Sequence, residues 1–177
     1  MLLGGVVRGR RNPRHFLLPT RLQKARLANG LTRTKLSQLA GLTNKAVSDI
    51  EDKRILPRIT TIARLAQVLG VSPGWLTFGI GDLPPSEVCA ETLGQRLRES
   101  RSARGLSRAT LGRSAQVSVG AIQHLEDERG VANAETIERL AVALDVSPAW
   151  LAFGEGSVVP SSAGHTSGDP RGSAVSS

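Results

Sequence analysis

Apolar positions along this chain recur every three to four residues in short stretches and nowhere alternate with period two, which predicts helices throughout. Leu22, Ala25 and Arg26 share one face of the first. Leu36, Leu39 and Ala40 form the expected buried side of a second, with Thr32 placed to cap it. Gly41 breaks that helix, and Thr43 is placed to cap the next, whose buried residues are Val47 and Ile50. Ile62, Leu65, Ala66 and Leu69 mark a fourth helix that ends at Gly70. A last turn from Ser72, Pro73, Trp75 and Leu76 closes the core, with proline at a tolerated first-turn position. The pattern gives about five short helices in roughly 60 residues.

It then happens again. Shifting the sequence by about 75 positions aligns residues 21–79 with 96–154 without a gap, and about 26 of the 59 pairs are identical. "GLTRTKLSQLA" overlies "GLSRATLGRSA", and "VSPGWLTFG" overlies "VSPAWLAFG". The expected organisation is a basic N-terminal arm over residues 1–19, a first unit over 20–79, a linker over 80–91 with Pro84 and Pro85, and a second unit over 92–156. The Ser/Gly-rich residues 157–177 have no periodic apolar face and are expected to be disordered.

A short helix, a tight glycine-containing turn and a second short helix is the helix-turn-helix signature. Both units resemble the phage-repressor and Cro (XRE-like) helix-turn-helix family, from the first helix to the "VSPxWL" closing turn. The resemblance covers about two thirds of the chain and implies an all-α fold of two tandem five-helix, lambda-repressor-like domains between disordered tails. It implies double-stranded DNA as the partner, with residues 33–40 as the positioning helix and 44–52 as the recognition helix.

The matching base-facing positions are Asn44, Lys45, Ser48 and Asp49. Asparagine pairs bidentately with adenine and lysine with guanine, while aspartate accepts from cytosine or repels wrong partners near phosphates. Thr43 is a cap, a ligand or both. Arg33 stands where the family often has glutamine, so a phosphate or guanine contact is expected there instead. Lys53, Arg54 and Arg58 follow the recognition helix as expected phosphate contacts. In the second unit the corresponding positions are Val119, Gly120, Gln123 and His124, with Arg108 at its positioning helix. Glycine weakens that helix by about 1 kcal/mol relative to alanine. The family also implies an Arg–Glu ion pair between first and recognition helices, at Arg26–Glu51 and Arg101–Glu126.

Charge sharpens the contrast between the units. The chain carries +8 with a pI near 11.1, which predicts attraction to polyanions. Residues 20–80 hold +7, whereas residues 81–156 hold −3, so the first unit is the expected principal reader. The second either touches DNA or serves as a partner-binding or dimerisation module. Arg8, Arg10, Arg11 and Arg14 offer an arm for the minor groove or backbone, or a solvated tail.

Other classes find little support. Aromatics make up only 3%, which suits small helical domains better than sandwiches. The single Cys89 rules out an internal disulfide framework, and His15, His124 and His165 lie in separate segments, so no metal is expected. No phosphate-binding loop, zinc-protease motif or serine–histidine–acid arrangement is present, so neither an enzyme nor a cofactor is expected. No apolar run approaches the roughly 20 residues of a membrane span. The stretch 16–18 ends at Pro19, too short for a secretory segment of about 7–15 apolar residues. A cytoplasmic, nucleoid-associated protein is expected, with an organellar presequence as the competing reading of the Arg-rich end.

The functional expectation is a sequence-specific transcriptional regulator, repressing by operator occlusion. An antitoxin or restriction-controller protein of the same fold, or an interaction module that has lost DNA binding, are the alternatives. No separate ligand-binding domain is visible, so a small-molecule effector is not expected. The linker's dozen residues reach at most about 40 Å at about 3.3 Å each. Neighbouring half-sites lie about 34–36 Å apart, so one chain can straddle two of them, while a homodimer using the first unit competes.

Overall fold

The structure, a computed structural model, describes residues 13–81 and 91–158. Arg8, Arg10, Arg11, Cys89, His165 and most of the linker and C-terminal tail lie outside the described residues.

Ten α-helices form, five per unit, and no strand among the described residues. The first unit contains α1 (Leu18–Ala28), α2 (Arg33–Leu39), α3 (Ala46–Glu51), α4 (Ile59–Leu69) and α5 (Pro73–Phe78). The second repeats them as α6 (Leu93–Ala103), α7 (Arg108–Ala115), α8 (Val119–Glu126), α9 (Ala134–Ala143) and α10 (Pro148–Phe153). Each core is aliphatic. Leu22, Leu36, Val47, Ile62 and Leu76 are fully buried in the first unit, as are Leu97, Leu111, Ile122, Ile137 and Leu151 at the same repeat positions.

Hydroxyl and amide caps set most of the helix starts. Thr32 Oγ accepts from the Lys35 amide at 3.1 Å, and Ser72 Oγ from the Trp75 amide at 3.0 Å. Thr92 and Gln95 form a reciprocal capping box at α6. The bend between α2 and α3 needs a left-handed residue, supplied by Gly41 at φ 65°. In the second unit Gln116 takes that conformation at φ 55°, so the turn there does without glycine.

Three expectations are corrected. Leu39 is 51% exposed rather than buried, because it ends α2 on the face away from the core. Thr43 does not cap the recognition helix through its side chain: α3 begins at Ala46 with Lys45 as its N-cap residue, and the Thr43 carbonyl accepts from Ala46 N at 2.9 Å. Its counterpart Ser118 does cap α8, accepting from Ala121 N at 3.2 Å. Residues 14–19, expected within the arm, are folded instead. Arg14–Leu17 forms a 3-10 helix, and α1 follows at once from Leu18. The Arg14 amide and His15 Nδ1 bond to Glu138 of α9 at 2.7 and 2.6 Å.

The two units dock on each other, α5 against α10, and their cores merge into one apolar cluster. What meets across the contact is like against like. Phe78 and Phe153, the same repeat position, stack tilted with centroids 6.5 Å apart. Arg58 and Asn133, again equivalent, form an antiparallel bridge in which the Ile59 amide donates to the Ala132 carbonyl at 3.0 Å. Gly74 faces Ala149, so closely that a Cβ on Gly74 would lie 2.8 Å from the Ala149 methyl. Contacts between equivalent positions define an isologous interface, here an internal pseudo-two-fold axis.

Candidate nucleic-acid interface

Positioning helix and recognition helix are fastened by charge in both units. In the first, Arg26 on α1 donates from Nε and a terminal nitrogen to the Glu51 carboxylate at 2.8 and 3.1 Å, and also to the Leu31 carbonyl. In the second, Arg101 reaches Glu126 at 2.6 and 3.1 Å and the Leu106 carbonyl at 2.9 Å. The expected pairs are both formed. Each acid also has a second arginine partner: Arg33 Nε donates to Glu51 at 2.7 Å, and Arg108 Nε to Glu126 at 2.8 Å. Burial opposes ionisation of Glu126, but the hydrogen bonds from Arg101 and Arg108 outweigh it and hold the carboxyl below its usual range.

Arg33 and Arg108, singled out from the sequence as DNA contacts, are therefore at work inside the fold. Arg33 also makes a fork-like pair with Asp52 at 2.9 and 3.0 Å. The Glu51 hydrogen bond, with help from Asp52, pushes its guanidinium pKa up. Its side chain stays 39% exposed, so one edge faces solvent. Sequence reasoning missed the triad, although the repeat carries its signal: Arg33/Arg108, Glu51/Glu126 and Asp52/Asp127 are identical in both units. The same holds for Arg21 and Arg96. Arg21 donates to the Thr77 carbonyl at 2.8 Å, and Arg96 to the Leu151 and Ala152 carbonyls at 3.1 Å, bracing the closing helices.

The remaining candidates of the first unit gather around α3. Thr43, Asn44 and Lys45 are exposed in the turn that leads into it. Asn44 Oδ1 accepts a long 3.4 Å bond from Gln38, and Ser48 Oγ donates to the Lys45 carbonyl at 2.8 Å. Asp49 and Lys53 pair with each other one helical turn apart at 2.8 Å. That bond raises the lysine pKa. Among the described residues Lys45, Arg54 and Arg58 make no ion pair, so their charge is not spent inside the fold. Arg54 adopts a left-handed backbone at φ 52° just past α3, and Arg58 starts α4 beside the unit contact. In the second unit Val119, Gln123 and His124 are exposed along α8, and Val119 is 45% accessible. There Arg98, Arg101 and Arg108 all pair with acids, sharing the two carboxylates of Glu126 and Asp127.

Short capped helices in a glycine-type turn, clamped to a first helix and offering an exposed, polar recognition face, define a helix-turn-helix protein of the phage-repressor type. Comparison with known families agrees. The family model described as "Helix-turn-helix" matches residues 22–76, and that described as "Helix-turn-helix domain" matches residues 92–152. The chain is a tandem helix-turn-helix protein of the XRE-like type. It is similar to the HTH-type transcriptional regulator PuuR of Escherichia coli (strain K12) and of Shigella flexneri, 38% identical over 52 residues in each case. That stretch is 29% of this chain and 28% of either relative, so the chain spans well under two thirds of the curated relatives it matches. No solved structure matches significantly. No helix among the described residues is long and apolar enough to cross a membrane.

Proposed function

We propose that the chain is a sequence-specific transcriptional regulator that represses by occupying its operator, with one chain reading two unlike half-sites. The observation that carries this is the pseudo-two-fold contact of equivalent residues, Phe78 on Phe153 and Arg58 beside Asn133. The rotation that exchanges α5 and α10 also exchanges α3 and α8. One polypeptide thus offers two recognition helices in the relation that a symmetric dimer gives its own, which suits successive major grooves about one turn apart.

The two helices are unlike. Asn44, Lys45, Ser48 and Asp49 correspond to Val119, Gly120, Gln123 and His124 in the repeat, so the half-sites differ in sequence. Lys45 and Asn44 supply bidentate base contacts, with Thr43, Lys53, Arg54 and Arg58 on the backbone, and Val119 and Gln123 suit thymine and adenine. Arg33 and Arg108 serve first as clamps and reach a phosphate only through their exposed edge. Unit boundaries at residues 18–79, which take in all of α1, and 92–156 belong to the same proposal.

Selection of bound duplexes from a random pool, followed by footprinting, tests it. Two dissimilar half-sites protected by one chain are expected, and the site placed across a promoter should block transcription in vitro. A perfect palindrome bound by two chains would overturn the one-chain reading.

A further inference from the structure

The contact between the units is not symmetric in detail, and one of its asymmetries is a buried carboxylate. Glu155 follows α10 and is 2% exposed. Its Oε2 accepts from the Ser72 hydroxyl at 2.6 Å and from the Gly74 amide at 2.7 Å, both in the first unit. The Gly74 amide belongs to the first turn of α5, where helix geometry leaves donors unpaired. Glu155 Oε1 is buried without a partner among the described residues. At the equivalent position the first unit has Ile80.

A buried carboxylate with one oxygen unsatisfied adds little stability of its own, although removing it strands the Ser72 hydroxyl and the Gly74 amide that it satisfies. It is, however, a strong discriminator between partners. Consider the three possible pairings. Unit one on unit two gives Glu155 its two donors. Unit one on unit one places isoleucine there and leaves the Ser72 hydroxyl and Gly74 amide without that acceptor. Unit two on unit two places Ala149 where Gly74 stands, and a Cβ at Gly74 would come 2.5 Å from Glu155 Oε2 and 2.8 Å from the facing methyl. The unit-two pair thus carries a clash that the unlike pairing avoids, and the unit-one pair leaves two donor sets without a carboxylate where the unlike pairing leaves one, at the equivalent Ser147 and Ala149.

We infer that Gly74 and Glu155 are the residues that make this interface heterotypic, so that the first unit pairs with the second of the same chain and like units are excluded. The inference rests on the one-chain reading above and identifies what enforces it. A chain built this way is a ready-made asymmetric reader and not half of a palindrome-binding homodimer.

The test uses the full chain without DNA. Sedimentation equilibrium should give a single species of 18.7 kDa at micromolar concentration. The amide of Ile59, bonded across the interface to Ala132, should be protected from hydrogen exchange, as should Val47 N, which donates to Ser37 within the first unit. Glu155→Ile, which installs the first unit's residue and leaves Gly74 untouched, should speed Ile59 exchange at least tenfold and leave Val47 unchanged. Gly74→Ala is less discriminating, because its Cβ would also meet the Ile80 carbonyl of its own unit at 2.8 Å. Should Glu155→Ile not fold, Glu155→Ala removes the acceptor without adding bulk and carries the same expectation. A wild-type mass of twice 18.7 kDa, or unchanged Ile59 exchange in the folded variant, would overturn the inference. A monomer with the expected exchange pattern that ignores every duplex would leave this pairing standing and remove the operator reading instead.

Discussion

Replacing Glu126 by alanine asks whether the arginine clamps hold the recognition helix or merely decorate it. The Glu126 side chain is fully buried and accepts from Arg101 at 2.6 and 3.1 Å and from Arg108 at 2.8 Å. Removing one partner of a buried ion pair costs about 3–5 kcal/mol, because the other charge is left uncompensated. Here the stranded arginines keep some water, with side chains 15% and 36% exposed. Arg101 also retains the Leu106 carbonyl. The expected loss is therefore reduced to about 2–4 kcal/mol. Urea unfolding of wild type and Glu126→Ala, followed by Arg101→Met in each background, measures the cost and the coupling between the two residues. Arg101→Met in the alanine background should cost little, since it removes a charge already unpaired. A loss below about 1 kcal/mol, the range of an exposed pair, would refute the clamp. Any fall in DNA binding by Glu126→Ala would then have to be judged against its folded fraction, since Glu126 offers no side-chain atom to the surface.

Lys45→Ala should weaken binding to the selected duplex about tenfold or more, by loss of a base contact worth about 1–3 kcal/mol, and without a change in melting temperature. Gln123→Ala should lose less, and equal losses by mobility shift would show that the units have been ranked wrongly. Arg33→Ala is expected to lower both binding and melting temperature, because it leaves Glu51 and Asp52 short of a partner. A variant of unchanged stability would return Arg33 to the role of a pure DNA contact. If Lys45, Arg54 and Arg58 each neutralise a phosphate, affinity should fall with salt at a log–log slope of about −2.7 or steeper, and a flat dependence would exclude them. Acid should also destabilise the fold. Glu126 and Glu138 have carboxyl pKa values held below the unfolded range, so their contribution is present above about pH 4.3 and is lost as pH falls through the lower folded values. Melting temperature against pH should show that acid limb, and Glu126→Gln should flatten it.

Much of this was legible along the chain because helices are encoded locally. A three-to-four-residue apolar period places Leu22, Leu36, Val47 and Ile62 in the core without any knowledge of neighbours, and capping residues such as Thr32 and Ser72 mark their own helix starts. The failures share a cause. Leu39 fits the apolar stripe of α2 but sits at its end, where the packing partner runs out. Thr43 has a capping side chain, yet the turn geometry gives its carbonyl the work. Arg33 looked like a free cation because nothing near it in sequence is acidic; the acids that hold it arrive from the end of α3, 18 and 19 residues away.

The amino-acid order alone therefore settled the helices, the duplication and the helix-turn-helix character, since each depends on residues within a few turns of one another. Which charges are spent inside the protein and which face outward was decided only by the folded chain, as was the docking of equivalent positions about a shared axis. Those outcomes depend on distances between residues far apart in sequence. Glu155 shows the difference most plainly: in sequence it is one acid between two glycines, and only packing brings it 2.6 Å from Ser72, 83 residues away.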